Sequence, residues 1–443
     1  MFLYKIIKME NQNADKYLNR NVKLFPCVNA LAWDILFVWT ISTMFFTNVK
    51  GLSNSQVIML DSFLMLFGCL FCIPISKIFE KVNSVTSTRI GLLGYVAYIL
   101  IVIFSPKGCF PLFVLAQPFL AFGYAIESVK TNQILVNSLA IQNRDKEYQK
   151  VYGKSMFLFY LMEAIGAIAV TYAYSWNPYS AFWLSLGMIV IAEILLIFVK
   201  EPTKFQARNI SIEGKTETKK GKPDSYFKII GSFFFLSLLI YMFFFRGMMS
   251  IVGSAFKVYL QQLTSNNSIP IWSFGYIYAV YKLGTAISSK FQFKIDLKFG
   301  VRSILLFLIG AILTFALTGA LYLINPYSVP IIIAIILLTY LQGTFRIPNG
   351  IFMNNYMQIC IPKKNIERAY AIRTTVEYLG YAIISGVYAQ LLGVFNDNYG
   401  LTNLVYIGIL ILPLCISCGF FIRALIKQYS RKRTIIKKEY TED

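Results

Sequence analysis

Residues 200–228 read KEPTKFQARNISIEGKTETKKGKPDSYFK, and this stretch decides how the rest of the chain is organised. It is polar, mixed in charge and poor in aromatic side chains until its end, which is typical of a flexible linker. About six apolar runs precede it and about six follow it. The linker therefore predicts two halves, 24–199 and 229–427, with a 1–23 segment before them and a basic tail, 428–443, after them.

The apolar runs are long enough to cross a lipid bilayer. Of the 443 residues, 57% are hydrophobic and only 14% are charged, and the mean hydropathy is +0.59. A bilayer core of about 30 Å requires roughly 20 apolar residues per helix. The sequence therefore predicts an all-α polytopic membrane protein with twelve transmembrane helices, near 24–46, 55–75, 89–105, 111–139, 152–175, 180–199, 229–259, 270–289, 302–324, 329–358, 369–393 and 401–425.

The net charge of +21 follows the topology and is not gathered in one patch. Lysine and arginine fall on alternate connections and near both termini, while the opposite connections carry little beyond Lys50 and Lys107. Cytoplasmic connections of membrane proteins are enriched in these two residues. We therefore expect both termini and the linker on the cytoplasmic side of the plasma membrane, and we expect no binding of nucleic acid.

Two short basic turns occupy equivalent places in the halves, after the second and the eighth run. They contain Ser76, Glu80, Lys81 and Asn83 in the first half, and Lys298, Gly300 and Arg302 in the second. The first turn resembles the signature G-x3-D-R-x-G-R-[RK] of the major facilitator superfamily, with Asn83 in place of a glycine. Asparagine tolerates left-handed backbone better than most residues. With twelve runs and a central linker, nearly the whole chain resembles that family.

The resemblance implies secondary active transport by alternating access of the two halves. It also implies that the first, fourth, seventh and tenth helices line the central cavity. The two basic turns, which we name the gating turns, are then expected to close its cytoplasmic end in the outward-facing state. Residues 127–139 and 354–372 further resemble a Gram-positive bacterial export-like branch, although MEAIGAIAV, 162–170, lacks the proline of drug–proton antiporters.

Each of the four cavity-lining runs carries charge at membrane depth, where ionisable residues are costly and are functional candidates by default. Acids dominate the first half and bases the second, which favours either a polar substrate or salt bridges between the walls. The proton-coupling candidates are Asp34, Asp61, Glu127 and Glu377. The substrate-cavity candidates are Lys130, Arg246, Lys282 and Arg346.

Structural roles stay open for most of these side chains. Glu127 and Lys130 are three residues apart and can form an ion pair on one helix face. A pairing across helices is open for Asp61, Glu163, Lys282 and Glu377. Snorkelling to the bilayer surface is expected for Glu193, Lys257 and Arg373.

Asp34 is the strongest candidate for a proton site. It lies in the middle of NALAWDILFVWT, residues 29–40, and the only bases that flank its run are Lys23 and Lys50 at the two ends. The chain contains no histidine, so proton coupling has to use carboxylates. Low-dielectric surroundings favour the protonated form of a carboxylic acid. We therefore expect protons to couple to the transport of a small-molecule substrate.

Enzymatic function fits the sequence poorly. The segment GKS, 153–155, resembles the end of a phosphate-binding loop, but Tyr148 stands where that loop needs its first glycine. Without histidine there is no Ser-His-Asp triad. Two cysteine pairs lie inside apolar runs, where cysteine usually serves as a packing residue. We therefore expect neither a metal nor a cofactor at Cys69, Cys72, Cys415 and Cys418.

The expected function is export of an amphiphilic compound or peptide by a monomer in the bilayer, driven by protons. Two alternatives stay open. One is proton-coupled uptake of a nutrient, and the other is a sensor or scaffold that has lost transport. The altered signature around Glu80 is the best support for the second alternative.

Overall fold

The protein is described by a computed structural model over residues 2–79, 82–144, 147–203, 224–266, 268–362 and 365–439. Helices account for nearly all of these residues, and no strand occurs among them. Glu80, Lys81 and most of the linker lie outside the described residues.

The described part of the first half contains eight α-helices, two of which are continued by a single π-helical turn. The helices are α1 (Phe2–Ala32), α2 (Val38–Met44), α3 (Asn54–Ile78), α4 (Ser84–Phe104), α5 (Phe110–Ile126), α6 (Asn132–Ile141), α7 (Tyr148–Trp176) and α8 (Ser180–Phe198). The π turns are Phe45–Val49, which follows α2, and Glu127–Thr131, which joins α5 to α6.

The second half begins with a short helix at the end of the linker. Its helices are α9 (Tyr226–Ile230), α10 (Phe233–Ser265), α11 (Ile271–Phe299), α12 (Arg302–Ile324), α13 (Val329–Cys360), α14 (Ile366–Val394) and α15 (Tyr399–Glu439). We name the end of the bundle at which α4, α7, α10, α12 and α14 finish the outer end. The opposite end, where α1 begins and α15 finishes, is the inner end.

Nine helical segments in the described part of the chain are long and apolar enough to cross a membrane. The three remaining predicted runs also coincide with helices, namely α1 with α2, α11 and α14. These three are broken or charged near their middle, at Asp34, at Lys282, and at Arg373 with Glu377. A multi-pass helical membrane protein is therefore confirmed, and the count of twelve crossings stays a prediction.

Each half pairs its helices in the same way. In the first half α1 packs on α7, α3 on α5 and α4 on α8. In the second half α10 packs on α14, α11 on α13 and α12 on α15. When α1 with α2 and α5 with α6 are each taken as one crossing, both halves pair the first crossing with the fifth, the second with the fourth and the third with the sixth. The halves thus share one internal topology, which is a common device of membrane transporters.

The two halves meet along two helix pairs, α3 with α14 and α7 with α11. Small residues allow these helices to approach closely. A Cβ at Gly275 of α11 would lie 2.6 Å from the carbonyl oxygen of Ala167 on α7. On the other pair, the hydroxyls of Ser62 and Ser385 lie 2.8 Å apart. We expect the central cavity between these two seams.

The described end of the linker is bound to the second half at the inner end. Asp224 receives a hydrogen bond from the Asn365 amide at 2.8 Å and its own N–H donates to Asn365 at 2.9 Å. The Tyr226 ring lies 5.0 Å from the Arg368 guanidinium and 6.0 Å from the Lys77 ammonium of α3. Tyr226 therefore contacts both halves.

Candidate functional site

The first membrane-depth helix is broken where Asp34 stands. α1 ends at Ala32 and α2 begins at Val38, and the five residues between them are not helical. A single turn closes the break, in which the Val38 N–H donates to the Ile35 carbonyl at 3.2 Å. Irregular backbone at membrane depth is tolerated only where protein surrounds it or where it lines a cavity. The break therefore marks the cavity wall.

Three donors converge on one oxygen of the Asp34 carboxylate. Oδ1 accepts from the Trp39 Nε1–H at 2.6 Å, from the Ile35 N–H at 2.7 Å and from the Tyr124 hydroxyl. Oδ2 accepts no hydrogen bond from the described residues, among which Asp34 also forms no ion pair, and the side chain is only partly buried. One oxygen is thus fixed and the other is left without a hydrogen-bond donor from the described residues.

The Tyr124 side chain that holds Asp34 stands just before a distortion in its own helix. Single π turns inside α-helices occur mostly at functional sites, and the turn Glu127–Thr131 starts three residues after Tyr124. The Tyr95 ring packs edge-on against Tyr124 at 5.7 Å, and its hydroxyl donates to the Trp33 carbonyl at 3.3 Å. α4 and α5 therefore support the break from one side.

The π turn buries two of the candidate residues, Glu127 and Lys130. Both belong to the described part of the chain, and no salt bridge forms between them there. The local ion pair that was left open from the sequence is thus not formed. Glu127 joins Asp34 as a second acidic residue on the wall of the first half.

A buried ion pair joins the halves near mid-depth. The Lys282 ammonium of α11 lies 2.8 Å from both carboxylate oxygens of Glu163 on α7, and the two side chains are 15% and 3% exposed. The rings of Tyr278 and Tyr160 lie 5.2 and 5.8 Å from the ammonium. This pairing was one of the open possibilities across helices. It neutralises Lys282, which is therefore a weaker candidate for substrate contact.

Glu377 pairs with two of the three arginines that lie at membrane depth in the second half. Glu377 lies 2.6 Å from Arg373 on the same helix and 3.6 Å from Arg246 on α10. Arg346 of α13 forms no ion pair among the described residues, and its buried Nε has no hydrogen-bond partner there. The tyrosines within electrostatic range of Arg346 are Tyr160, Tyr278, Tyr281 and Tyr381. This wall has excess positive charge and aromatic surroundings.

Lys257 and Asp61 join the halves closer to the outer end. The Lys257 ammonium donates to the Trp39 carbonyl at 3.1 Å and to the Ser42 hydroxyl at 2.9 Å. Asp61 accepts from the Ser254 hydroxyl. These groups line an enclosed cavity of about 10 Å³, which is room for one water molecule. The expectation that Lys257 snorkels to the bilayer surface is therefore wrong, because α2 covers it.

Arg373 also does not snorkel. Its side chain is 11% exposed and pairs with Glu377, one turn further along α14. Glu193 is the one of the three that lies near a surface, where it pairs with Arg89 at 2.7 Å and both side chains are partly exposed. Distance from a helix end was thus a poor guide to where these long side chains point.

Further hydrogen bonds between the halves lie toward the outer end. They join Asn54 to Asp397 at 3.1 Å, Ser55 to the Ala389 carbonyl at 2.9 Å, Gln261 to Thr47 at 3.3 Å and Tyr172 to Tyr276 at 3.3 Å. Together with Lys257, Asp61 and the Glu163–Lys282 pair, they extend from mid-depth to the outer end. The structure is therefore closed at the outer end.

Removing the Lys257 ammonium should open the outer end. Lys257→Met loses two hydrogen bonds of a charged donor, each worth roughly 1.5–3 kcal/mol. The outward-open population should then rise at least about tenfold. A cysteine at Thr43, which is buried in the closed structure, would report this opening by its reaction with a membrane-impermeant thiol reagent in a cysteine-free background.

Lys50→Met is the matched control for that experiment. Lys50 is also a buried lysine, and it donates to the carbonyls of Ile103 at 3.0 Å and Ser105 at 2.7 Å, all within the first half. Its loss should leave the reactivity at Thr43 unchanged. Equal labelling in Lys257→Met and the parent would show that Lys257 does not close the outer end.

The gating turns are described only in part. Glu80 and Lys81 lie outside the described residues, and the side chain of Lys298 is not described either. Gly300 has φ +51°, a left-handed conformation that glycine adopts at little cost. Asn83 has φ −58° and ψ 140°, so the expectation that it replaces a left-handed glycine is wrong. Of the other residues of these turns, Ser76 lies near the end of α3, Asn83 directly precedes α4 and Arg302 begins α12.

Sequence reasoning missed Glu201, which the structure buries at the inner end. Its carboxylate accepts from the Val85 N–H at 3.1 Å and from the Ser84 hydroxyl at 3.4 Å. A carboxylate there satisfies free N–H groups at the start of α4, where Asn83 makes no side-chain cap. The signal in the sequence was an acid directly after an apolar run. Glu201 was overlooked because it falls inside the predicted linker, 200–228.

Comparisons with known proteins support this architecture. The family model described as Major Facilitator Superfamily matches residues 24–385. The crystal structure of the nucleoside transporter NupG is similar, with a TM-score of 0.70 and 10% sequence identity over 91% of this chain and 99% of that chain. No curated protein matches the sequence.

A second solved structure is a bacterial homolog of the human lysosomal transporter Spinster, in an inward-facing and unoccupied conformation. Its TM-score is 0.64 at 13% identity, over 94% of this chain and 98% of that chain. At such low identities the two likenesses show the fold alone. They confirm the predicted fold class.

Proposed function

The chain belongs to the Major Facilitator Superfamily, and we propose that it is a proton-coupled secondary active transporter with Asp34 as its proton site. The substrate is a small molecule that binds in the cavity between the halves. Alternating access by rocking of the two halves, 24–199 and 229–427, brings this cavity to each side in turn.

The arrangement of Asp34 supports this proposal more than any other observation. A carboxylic acid that is protonated on Oδ2 keeps Oδ1 as an acceptor, so all three hydrogen bonds to Oδ1 survive protonation. Asp34 can therefore gain and lose a charge without loss of its position. Oδ2 accepts no hydrogen bond from the described residues, so it is the oxygen at which a proton can bind once either end opens.

Bonds that can break and form again support alternating access. Apart from the Glu163–Lys282 pair and the Lys257 ammonium, the contacts between the halves near the outer end are single hydrogen bonds of uncharged donors. The Spinster homolog is inward-facing, and the closed outer end here fits the same half of a transport cycle. The gating turns, with Glu80, Lys81, Lys298 and Arg302, are proposed to close the inner end in the other half.

The direction of substrate transport relative to the proton depends on whether binding of one weakens or strengthens binding of the other. The export-like resemblance favours export of an amphiphilic compound or peptide, in which the proton and the substrate compete. Uptake requires that the two bind together. One observation favours uptake, namely the cluster of Arg346, Arg246 and Arg373. Such a cluster favours an anionic substrate, which binds better when the proton is bound as well.

Transport itself can be tested before the substrate is known. Proteoliposomes with an alkaline interior would be incubated with an isotope-labelled small-molecule extract of bacterial cells, and the accumulated compounds would be read by mass spectrometry. We expect at least one compound to accumulate only when both the protein and the pH gradient are present. Absence of any accumulated or exchanged compound would favour the sensor or scaffold that has lost transport.

Topology is the first prediction that follows from the proposed location in the plasma membrane. In a cysteine-free background, Ser211→Cys in the linker and Thr441→Cys in the tail should resist a membrane-impermeant reagent in intact cells, because basic segments stay in the cytoplasm. Ser268→Cys, in a connection without basic residues, should react. External labelling at residue 211 or 441 would overturn cytoplasmic termini.

A further inference from the structure

The charges of the second-half wall do not balance. Glu377 pairs with Arg373 and Arg246, whereas Arg346 forms no ion pair among the described residues and its buried Nε has no hydrogen-bond partner there. Arginine stays protonated in proteins, so it cannot relieve this imbalance by losing its proton. A guanidinium inside a membrane protein normally pairs with a carboxylate or with carbonyl groups. Among the described residues, the charge of Arg346 is therefore left for another anion to offset.

The nearest acids are already committed or stand on the other wall. Glu163 is held by Lys282 through both oxygens, so it is not available to Arg346. Asp34 is held in the α1–α2 break by donors of the first half. No described carboxylate pairs with Arg346. Glu127 is buried on the first-half wall and does not pair with Arg346 either, so an anion from outside the protein would supply the partner that Arg346 lacks.

The surroundings of Arg346 indicate the kind of anion. A guanidinium binds carboxylates, sulfonates and phosphates through two parallel N–H donors. Tyr160, Tyr281 and Tyr381 lie within electrostatic range of Arg346 and add aromatic surface with hydroxyl groups. Aromatic walls favour a partner with a flat apolar body. An acidic head and an apolar body together describe an amphiphilic organic anion.

We propose that the cavity binds an amphiphilic organic anion, whose acidic group is held by Arg346 with help from Arg246, and that this anion is carried in the same direction as the proton on Asp34. The second part rests on the proposed function. The first part requires only binding.

The proton and the anion are expected to move in the same direction because of the sign of the electrostatic coupling between Asp34 and the bound anion. Protonation of Asp34 removes a negative charge from the cavity and so strengthens the binding of an anion. For charges about 10 Å apart at an effective dielectric constant of about 20, Coulomb's law gives a preference of roughly tenfold. Linkage makes the effect reciprocal, so the bound anion also favours the proton. A cationic substrate would instead compete with the proton, which is the basis of exchange.

Other charged and titratable groups near Asp34 do not reverse the favourable coupling between its protonation and anion binding. Glu163 of α7 and Glu127 of the π turn lie within its electrostatic range, as does Lys257 of α10. Tyr95 of α4 and Tyr124 of α5 face it as neutral hydroxyls. Glu163 and Lys257 have partners of their own, Lys282 and the groups of α2. Of the acids named here, Asp34 and Glu127 form no ion pair in the described residues, and Asp61, which accepts from Ser254, forms none either.

A matched series of compounds tests the substrate class. Phenylpropionate, phenylpropanesulfonate, phenylpropanamide and phenylpropylammonium share one apolar body and differ in charge. The two anions should raise the melting temperature of the purified transporter, because ligands that bind the native state stabilise it. The amide and the ammonium should not. The proposal would be overturned if the ammonium stabilised the transporter as much as the anions do. It would also be overturned if neither anion stabilised it.

Variants of Arg346 locate the binding group. Arg346→Met should lose the stabilisation by both anions, and Arg346→Lys should keep part of it. Arg89→Met is the matched control, because Arg89 pairs with Glu193 at a partly exposed surface and should leave anion binding unchanged. If Arg346→Met fails to fold, the loss of affinity in Arg346→Lys against Arg89→Lys decides the question. Unchanged binding in the Arg346 variants would overturn the site.

The pH dependence tests the common direction separately. Phenylpropanesulfonate keeps its charge over the whole range, so the pH acts through the protein alone. Its affinity for the parent should rise about tenfold as Asp34 becomes protonated. In Asp34→Asn the affinity should be high and independent of pH. A flat profile in the parent would overturn the common direction, whereas failure of the proposed function would appear as accumulation that needs no pH gradient.

Discussion

Asp34→Asn should abolish accumulation driven by a pH gradient and should leave exchange of substrate across the membrane intact. Asparagine keeps an oxygen in the place of Oδ1, so the donors from Trp39, Ile35 and Tyr124 retain their acceptor. Its side-chain NH2 group takes the place of the protonated Oδ2. The variant therefore imitates the protonated state permanently and cannot carry a proton through the cycle.

The assay uses the labelled compounds that the parent accumulates in proteoliposomes. Accumulation at a pH gradient should fall in Asp34→Asn to the level that simple equilibration gives, while counterflow against unlabelled compound should stay near the parental rate. Glu193→Gln is the matched control, because that carboxylate lies outside the cavity in a partly exposed pair. If Asp34→Asn accumulates substrate as well as the parent, the proton site lies elsewhere, and Asp61, Glu127 and Glu377 are tested in that order.

The second large effect is expected at the ion pair between Glu163 and Lys282. Glu163→Gln or Lys282→Met alone leaves one buried charge without its partner, which typically costs about 3–5 kcal/mol of unfolding free energy. The double variant removes both charges and keeps similar side-chain volumes, so it should recover most of that loss. Because α7 and α11 form one of the two seams between the halves, the single variants should also loosen their contact.

Thermal unfolding of the purified variants measures this effect as a double-mutant cycle. Arg89→Met and Glu193→Gln form the matched cycle, because this pair has a similar length of 2.7 Å but side chains 49% and 28% exposed. Exposed pairs contribute about 0–1 kcal/mol, so its cycle should be nearly flat. A double variant at Glu163 and Lys282 that is as unstable as either single variant would show that the pair does more than balance charge.

The arrangement of the chain was predictable because it depends on composition and on charge spacing. Long apolar runs, alternate basic connections and the central linker sufficed for an all-helical membrane fold. The break at Asp34 was not predictable from the run 24–46. Its geometry depends on Tyr124 from α5, and on Phe159 from α7, whose ring packs 6.2 Å from Trp33.

The candidate site was predictable as a set of residues but not as a set of pairs. Charges at membrane depth are rare, so Asp34 and Arg346 stood out in the sequence. Which charge meets which depends on helices far apart in the chain, as for Glu163 with Lys282. Lys257 was misplaced for the same reason, since its partners on α2 are more than two hundred positions away.

Direct measurement of proton movement tests the central claim, that Asp34 carries the coupled proton. Proteoliposomes filled with the pH dye pyranine would receive an accumulated compound from outside, without an imposed pH gradient. The account predicts that the interior of parental vesicles acidifies as the compound enters, and that Asp34→Asn admits the compound with no change of internal pH. Acidification by Asp34→Asn equal to that by the parent would contradict the account.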